Sequence, residues 1–180
     1  MKRDSFDVKY QLVRLEYRLQ LPARIHLKDK EVRQLLKEFV ERYPRVERSL
    51  RSAESFEELS VDKSSIFFVD GQPLILRTSG GLIPSLKFDE LINDLPKIVV
   101  DMGAVAHVVN GAQVMRPGIK QFGNDFAKGD LVVIVDQKFG KKIALGVADV
   151  DSQSMKSLSK GRVITNLHYV GDELWQSFTV

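Results

Sequence analysis

Cysteine is absent from the 180 residues. No disulfide, thiol nucleophile, iron–sulfur cluster or thiolate zinc site is therefore available. Histidine is scarce. His26, His107 and His168 are the whole supply, none pairs with another at i,i+4, and no HExxH motif occurs, so no metal site is expected. No apolar run reaches the ~18 residues of a membrane span. The opening MKRDSFDVKYQLVRLEY has charges where a signal peptide has its apolar stretch, so the expectation is a cytoplasmic protein that meets no membrane. The phosphate-loop frames G-x-x-x-x-G-K and G-x-G-x-x-G are missing, as is the nucleophile elbow G-x-S-x-G. Asp101, Asp136, Asp149 and Asp151 stand at strand ends, where turn and cap roles account for them. The expectation is a binding surface with no catalytic residue, no cofactor and no metal.

What is present is an ordinary soluble composition, 43% apolar and 28% charged, long enough to hold a core without staples. The charge is uneven. Residues 1–51 carry 14 Lys/Arg against 8 Asp/Glu, residues 52–95 carry 3 against 8, and residues 96–180 carry 10 against 8. A basic block beside an acidic one suggests a polarised surface, a solvated helix face being the plain alternative.

Val13, Leu15, Tyr17, Leu19 and Leu21 alternate with polar residues as a strand would, although Leu12, Leu15 and Leu19 also fit a helical stripe. Pro22 breaks either. Val32, Leu35, Leu36, Phe39 and Val40 predict a helix over about 28–43, ended by Pro44. Val46 and Leu50 suggest a short second one. The stretch RSAESFEELSVDK (51–63) reads as a polar loop with a turn of helix. Asp70-Gly71 joins two strands, Ile66–Val69 and Leu74–Arg77. Ser79-Gly80-Gly81 turns again before LIPSL, and Phe88, Leu91 and Ile92 make a short helix. A boundary near Pro96 gives two domains, 1–95 and 96–180. The second reads as short strands at 98–101, 112–117, 131–136, 142–150, 162–170 and 174–180, with helices at 103–109 and 152–160. Strands of this length and spacing predict a small barrel. The fold class is α+β.

The informative stretch is D-M-G-A-V-A-H-V-V-N-G-A-Q-V-M-R-P-G-I (101–119). Asp101 is placed to cap a helix, Asn110-Gly111 to end it, and Pro117-Gly118 to turn the chain. Small residues at 103, 104, 111 and 112 leave the backbone bare. Two readings stand side by side. Bare N–H groups at a helix start receive a phosphate, or the small residues simply let a helix pack close to a barrel.

The pattern V-D-x-G-A-x-x-x-V-x-x-G-A-x-V-M-x-P-G-I resembles the opening of a PUA domain, an RNA-binding module. K-G-D-x-V (128–132) and A-L-G-V-A (144–148) match it too. V-D-G-x-P-L (69–74), L-I-P-S-L (82–86) and K-G-R-x-x-x-N-x-H-Y-V-G-D-x-L-W (160–175) are similar to the malignant T-cell-amplified sequence family and its archaeal relatives. The period-two segment before Pro22 departs from that pattern. The resemblance implies an N-terminal α/β pre-PUA domain followed by a PUA pseudo-barrel with two short helices. It implies a non-enzymatic protein that binds structured RNA, tRNA or rRNA, in initiation or recycling on the small ribosomal subunit, with a density-regulated-type protein partner. An accessory of an RNA-modification enzyme and a protein–protein adaptor are the alternatives.

Carried over by motif position, the resemblance implies RNA contact at Gly103, Ala104, Asn110, Gly111, Ala112, Met115, Arg116, Pro117 and Gly118. Lys97, Lys120, Lys160 and Arg162 flank these elements as candidate phosphate contacts. Arg116 is the leading candidate, since a guanidinium grips phosphate with two hydrogen bonds. His168 is a candidate for stacking on an unpaired base. Arg14, Arg18, Arg24, Lys28, Arg33, Lys37 and Arg42 form a candidate second basic patch. The expectation is that Gly111→Glu or Arg116→Glu weakens RNA binding without unfolding.

Overall fold

The computed structural model describes residues 23–179. The period-two segment over 13–21, with Arg14 and Arg18, lies outside the described residues. The first helix forms where the apolar stripe predicts it, as α1, Asp29–Arg42, with Leu35, Leu36 and Phe39 buried. The Glu31 carboxylate accepts the Lys28 N–H at 2.7 Å, satisfying a donor outside the helical ladder. Pro44 cannot continue the helix; it opens a 3₁₀ turn, Pro44–Val46, that leads into α2, Glu47–Arg51.

Five strands follow one another through an antiparallel meander: β1 (Ile25–His26), β2 (Phe56–Val61), β3 (Ser64–Val69), β4 (Gln72–Thr78) and β5 (Gly81–Pro84). Asp70 and Gly71 take φ of 48° and 76°, the left-handed pair that lets a tight hairpin follow the strand twist. β2 corrects the sequence reading of 51–63 as a loop. It pairs with β3 along its length, Phe56↔Val69 to Val61↔Ser64, and buries Phe56, Leu59 and Val61. The adjacent glutamates hide the alternation, and Glu57 is held by Arg24 at 3.9 Å and His26 at 3.5 Å.

After α3 (Asp89–Ile92), six strands make the second sheet: β6 (Lys97–Val100), β7 (Val114–Met115), β8 (Ile119–Phe122), β9 (Leu131–Asp136), β10 (Lys142–Ala148) and β11 (Arg162–Tyr169). Their order is β7-β11-β10-β9-β6-β8, with β6 parallel to β9 and every other pair antiparallel. Between them lie α4 (Met102–Val108) and α5 (Ser152–Ser157). The chain is thus α+β.

Two expectations fail here. Residues 112–117 keep only two strand residues, because Arg116–Gly118 turns as a 3₁₀ helix around Pro117. Residues 174–179 of the expected strand at 174–180 are not a strand. Asp172 accepts the Trp175 N–H at 2.7 Å and so starts α6, Glu173–Gln176, followed by a 3₁₀ turn, Ser177–Thr179. A capping aspartate decides the element here, where β-propensity alone misleads.

β9 explains how the two sheets cohere. All six of its residues are buried. Leu131, Val133 and Val135 belong to one cluster with Phe39, Ile66, Leu76 and Ile92 of the first sheet and its helices. Val132 and Ile134 face the other way, into a cluster with Ile98, Val100, Val163 and Ile164. A strand covered on both faces reads as a continuous apolar run, which is what LVVIVD is.

Candidate nucleic-acid interface

α4 and the loop after it form the surface on which most of the expected contacts fall. Asp101 caps α4, its Oδ1 accepting the Ala104 N–H at 2.8 Å. That bond, and then Lys120, whose Nζ lies 3.2 Å from Oδ2, hold the Asp101 carboxyl below its usual range. The helix start is therefore already occupied by a carboxylate and does not offer the bare phosphate cradle that one sequence reading suggests. Lys120 is engaged in the same pair.

The small residues prove to be packing residues in part. A Cβ on Gly118 would stand 2.9 Å from the Ala104 Cβ, and one on Gly111 would stand 3.0 Å from the Tyr169 hydroxyl. Gly111 also takes φ +85°, a conformation in which a side chain is strained. Arg116 is committed within the fold. Its Nε donates to the Met155 carbonyl at 2.8 Å, Nη1 donates to the Ile119 carbonyl at 3.3 Å, and the guanidinium lies 5.2 Å from the Phe122 ring centroid. Arg116→Glu and Gly111→Glu would thus disturb packing, contrary to the expectation that neither unfolds the chain.

His168 is a further correction. It is fully buried, its Nδ1 lies 2.7 Å from Asp172 Oδ2, and its ring sits beside Trp175 and Phe178. A base cannot stack there. Arg24 also leaves the basic patch: its guanidinium lies 3.6 Å from the Phe68 ring centroid. Lys28, Arg33, Lys37 and Arg42 are exposed. Arg33 and Lys37 stand one turn apart on α1, whereas Lys28 and Arg42 lie at its two ends. Arg162 pairs with Asp149 at 2.9 Å.

What stays accessible is an apolar, sparsely branched strip. Gly103, Asn110, Ala112 and Pro117 are exposed, and Met102 and Met115 are 46% and 48% exposed. Lys160 is exposed beside it, where the Arg116 N–H donates to the Gly161 carbonyl at 2.8 Å, and Lys97 is exposed at the other end of β6, next to Gly123. Residues 102–124 contain no Asp or Glu. The loop is held to β11 by Asn166, whose Nδ2 donates to the carbonyls of Val108 (3.0 Å) and Ala112 (3.1 Å), while its N–H donates to Gln113 Oε1 at 2.9 Å. Sequence reasoning gave Asn166 no role; its place in the 160–175 motif was the available sign. Among the described residues no group of three or more His, Asp or Glu could hold a metal ion, and no helix is long and apolar enough to cross a membrane.

This arrangement, a curled six-stranded sheet with a capped helix and a glycine loop on its rim, defines a PUA-type protein. Residues 96–170 match the PUA domain family and residues 23–88 match a domain of unknown function, DUF1947. A crystal structure of a PUA domain from Aeropyrum pernix K1 superposes with a TM-score of 0.72 at 27% identity, covering 88% of this chain and 92% of that one. The chain belongs to the family that includes the translation machinery-associated protein 20 and the malignant T-cell-amplified sequence proteins. It is 33% identical to translation machinery-associated protein 20 of Saccharomyces cerevisiae over 85% of this chain and 91% of that protein. A probable tRNA pseudouridine synthase B of Pyrobaculum calidifontis is 41% identical over 78 residues, which is 43% of this chain and 23% of that protein.

Proposed function

We propose that the chain is a non-enzymatic protein that binds structured RNA, tRNA or rRNA, in the cytoplasm, through the second sheet, and serves the translation machinery on the small ribosomal subunit. The observation that carries this reading is the strip from Met102 to Pro117, exposed, rigidly held and free of carboxylates over residues 102–124. The flanking carboxylates are engaged, Asp101 by the Ala104 N–H and Lys120 and Asp149 by Arg162, the cross-strand partner of Met115. Gly103, Asn110, Ala112, Met115 and Pro117 are the contacts, with Lys97 and Lys160 on the phosphates. Arg116, Gly111 and Gly118 shape the surface from beneath. Two likenesses support the reading. One runs nearly the full length of a translation machinery-associated protein. The other covers a segment shared with a protein named for acting on tRNA.

The division of labour follows the sheets. Residues 96–180 take the RNA. Residues 1–95 present the exposed Arg33 and Lys37 of α1 and the exposed Glu54 and Asp62 to a density-regulated-type protein partner. Crosslinking the protein to RNA in cells and sequencing what is attached tests this. Enrichment of tRNA or small-subunit rRNA over an uncrosslinked control is the expected result. Recovery at the level of that control contradicts the proposal.

A further inference from the structure

We propose that the hairpin tip between β9 and β10 is a second RNA contact, which stacks an unpaired base on Phe139 and holds the flanking phosphates with Lys138 and Lys141. This rests on the RNA-binding reading above and adds to it a specific subsite for single-stranded RNA.

Phe139 is 65% exposed. A single exposed ring asks for no explanation by itself. This one is held rigidly and flanked by cations. The Lys138 Nζ lies 4.9 Å from the ring centroid and the Lys141 Nζ 5.7 Å. The buried Asp136 carboxylate accepts the Phe139 N–H at 2.5 Å and the Lys141 N–H at 2.8 Å. The Gly140 N–H returns to the Asp136 carbonyl at 3.1 Å, with Gly140 at φ +64°. These bonds fix the turn without any help from the Phe139 ring, which has no part in either buried cluster. An aromatic presented on a locked turn loses little entropy on binding.

Place and charge choose the ligand. The Gln137 N–H donates to the Val100 carbonyl at 2.9 Å, so the tip stands at the end of β6 where Asp101 starts α4. It therefore shares one end of the sheet with exposed Met102 and with Lys120. From Gln137 through Lys142 there are three lysines and no Asp or Glu. Lys142 is taken up by Asp89 of α3, and the Asp136 charge is turned inward onto the amides. Two ammonium groups around one ring suit a nucleotide, which brings a flat π-face and a phosphate together. An apolar protein surface would satisfy the ring but bury the two lysines without partners.

The test uses the full chain, total tRNA, and two labelled RNA hairpins that differ only by a short single-stranded tail. Phe139→Ala is expected to weaken binding of the tailed hairpin roughly 10-fold and to leave the blunt hairpin within about twofold. Phe139→Trp should restore the lost affinity. Lys138→Ala with Lys141→Ala should lower the log–log salt slope on the tailed hairpin by roughly 1.4. Melting temperatures should stay unchanged, because the ring lies outside the core. Unaltered affinity in Phe139→Ala overturns the inference and assigns the tip to a protein partner. Equal losses on both hairpins overturn the stacking. If the unsubstituted chain binds none of the three RNAs, the functional reading itself fails. If it binds them and Phe139→Ala binds as well, only this inference falls.

Discussion

At the scale of single residues, the most crowded glycine in the second sheet is Gly146. The pairing of β10 with β11 slips between Leu145 and Gly146, and a Cβ at Gly146 would stand 2.5 Å from Ile164 Cγ2 and 2.8 Å from the Thr165 carbonyl oxygen. Backbone cannot yield as a flexible side chain does. Gly146→Ala should therefore cost roughly 1–3 kcal/mol in denaturant unfolding. Gly80→Ala, with 3.7 Å to the nearest atom, should stay within about 0.5 kcal/mol. Equal stability of both variants would contradict the crowding at Gly146. Residue identity alone could not separate these two glycines, because the distinction lies in a partner strand many residues away.

Among elements, the legible ones were those whose own residues settle the matter. α1 follows its apolar stripe, and the β3–β4 hairpin follows Asp70-Gly71. β2 and α6 depart from the sequence expectation because a neighbour decides each. β2 is a strand through its pairing with β3, with Glu57 held by Arg24 and His26. α6 is a helix through Asp172. Its Oδ1 takes the Trp175 N–H at 2.7 Å, and its Oδ2 takes the Tyr169 N–H at 3.0 Å and lies 2.7 Å from His168 Nδ1. The candidate site follows the same rule. The motif located the strip from Met102 to Pro117. It could not reveal that Arg116 and His168 turn inward, since that depends on Met155, Ile119 and Asp172.

Burial pushes the Asp172 carboxyl up, but His168 and the Trp175 and Tyr169 N–H groups outweigh it and hold it below its ordinary value. A carboxyl lowered in this way adds stability that is present in full above its unfolded value and is lost as pH falls through the folded one. Asp172→Ala removes the α6 cap and strands His168 in the core, a cost of about 2–4 kcal/mol near neutral pH. The gap between variant and parent should narrow below about pH 4. Chemical denaturation at several pH values checks this, and a gap that widens on acidification contradicts it.

For the whole molecule, β9 matters most. Leu131, Val133 and Val135 share a buried cluster with the first sheet, and Leu174 joins them. Lys142 pairs with Asp89 across the same junction, and Lys87 lies 4.7 Å from the Trp175 ring centroid. Two sheets with a common core should melt as one unit. Scanning calorimetry of the full chain should show a single transition whose calorimetric and van't Hoff enthalpies agree, whereas two resolved transitions would show independent halves.

The central claim, that this chain holds RNA on its second sheet, is tested most directly by filter binding of total tRNA across a salt series. Binding should be firm at ~50 mM salt and fall with a log–log slope of roughly −3 to −5, the release expected when ~4–6 phosphates are neutralised. Absence of binding at ~50 mM, or affinity indifferent to salt, would contradict it.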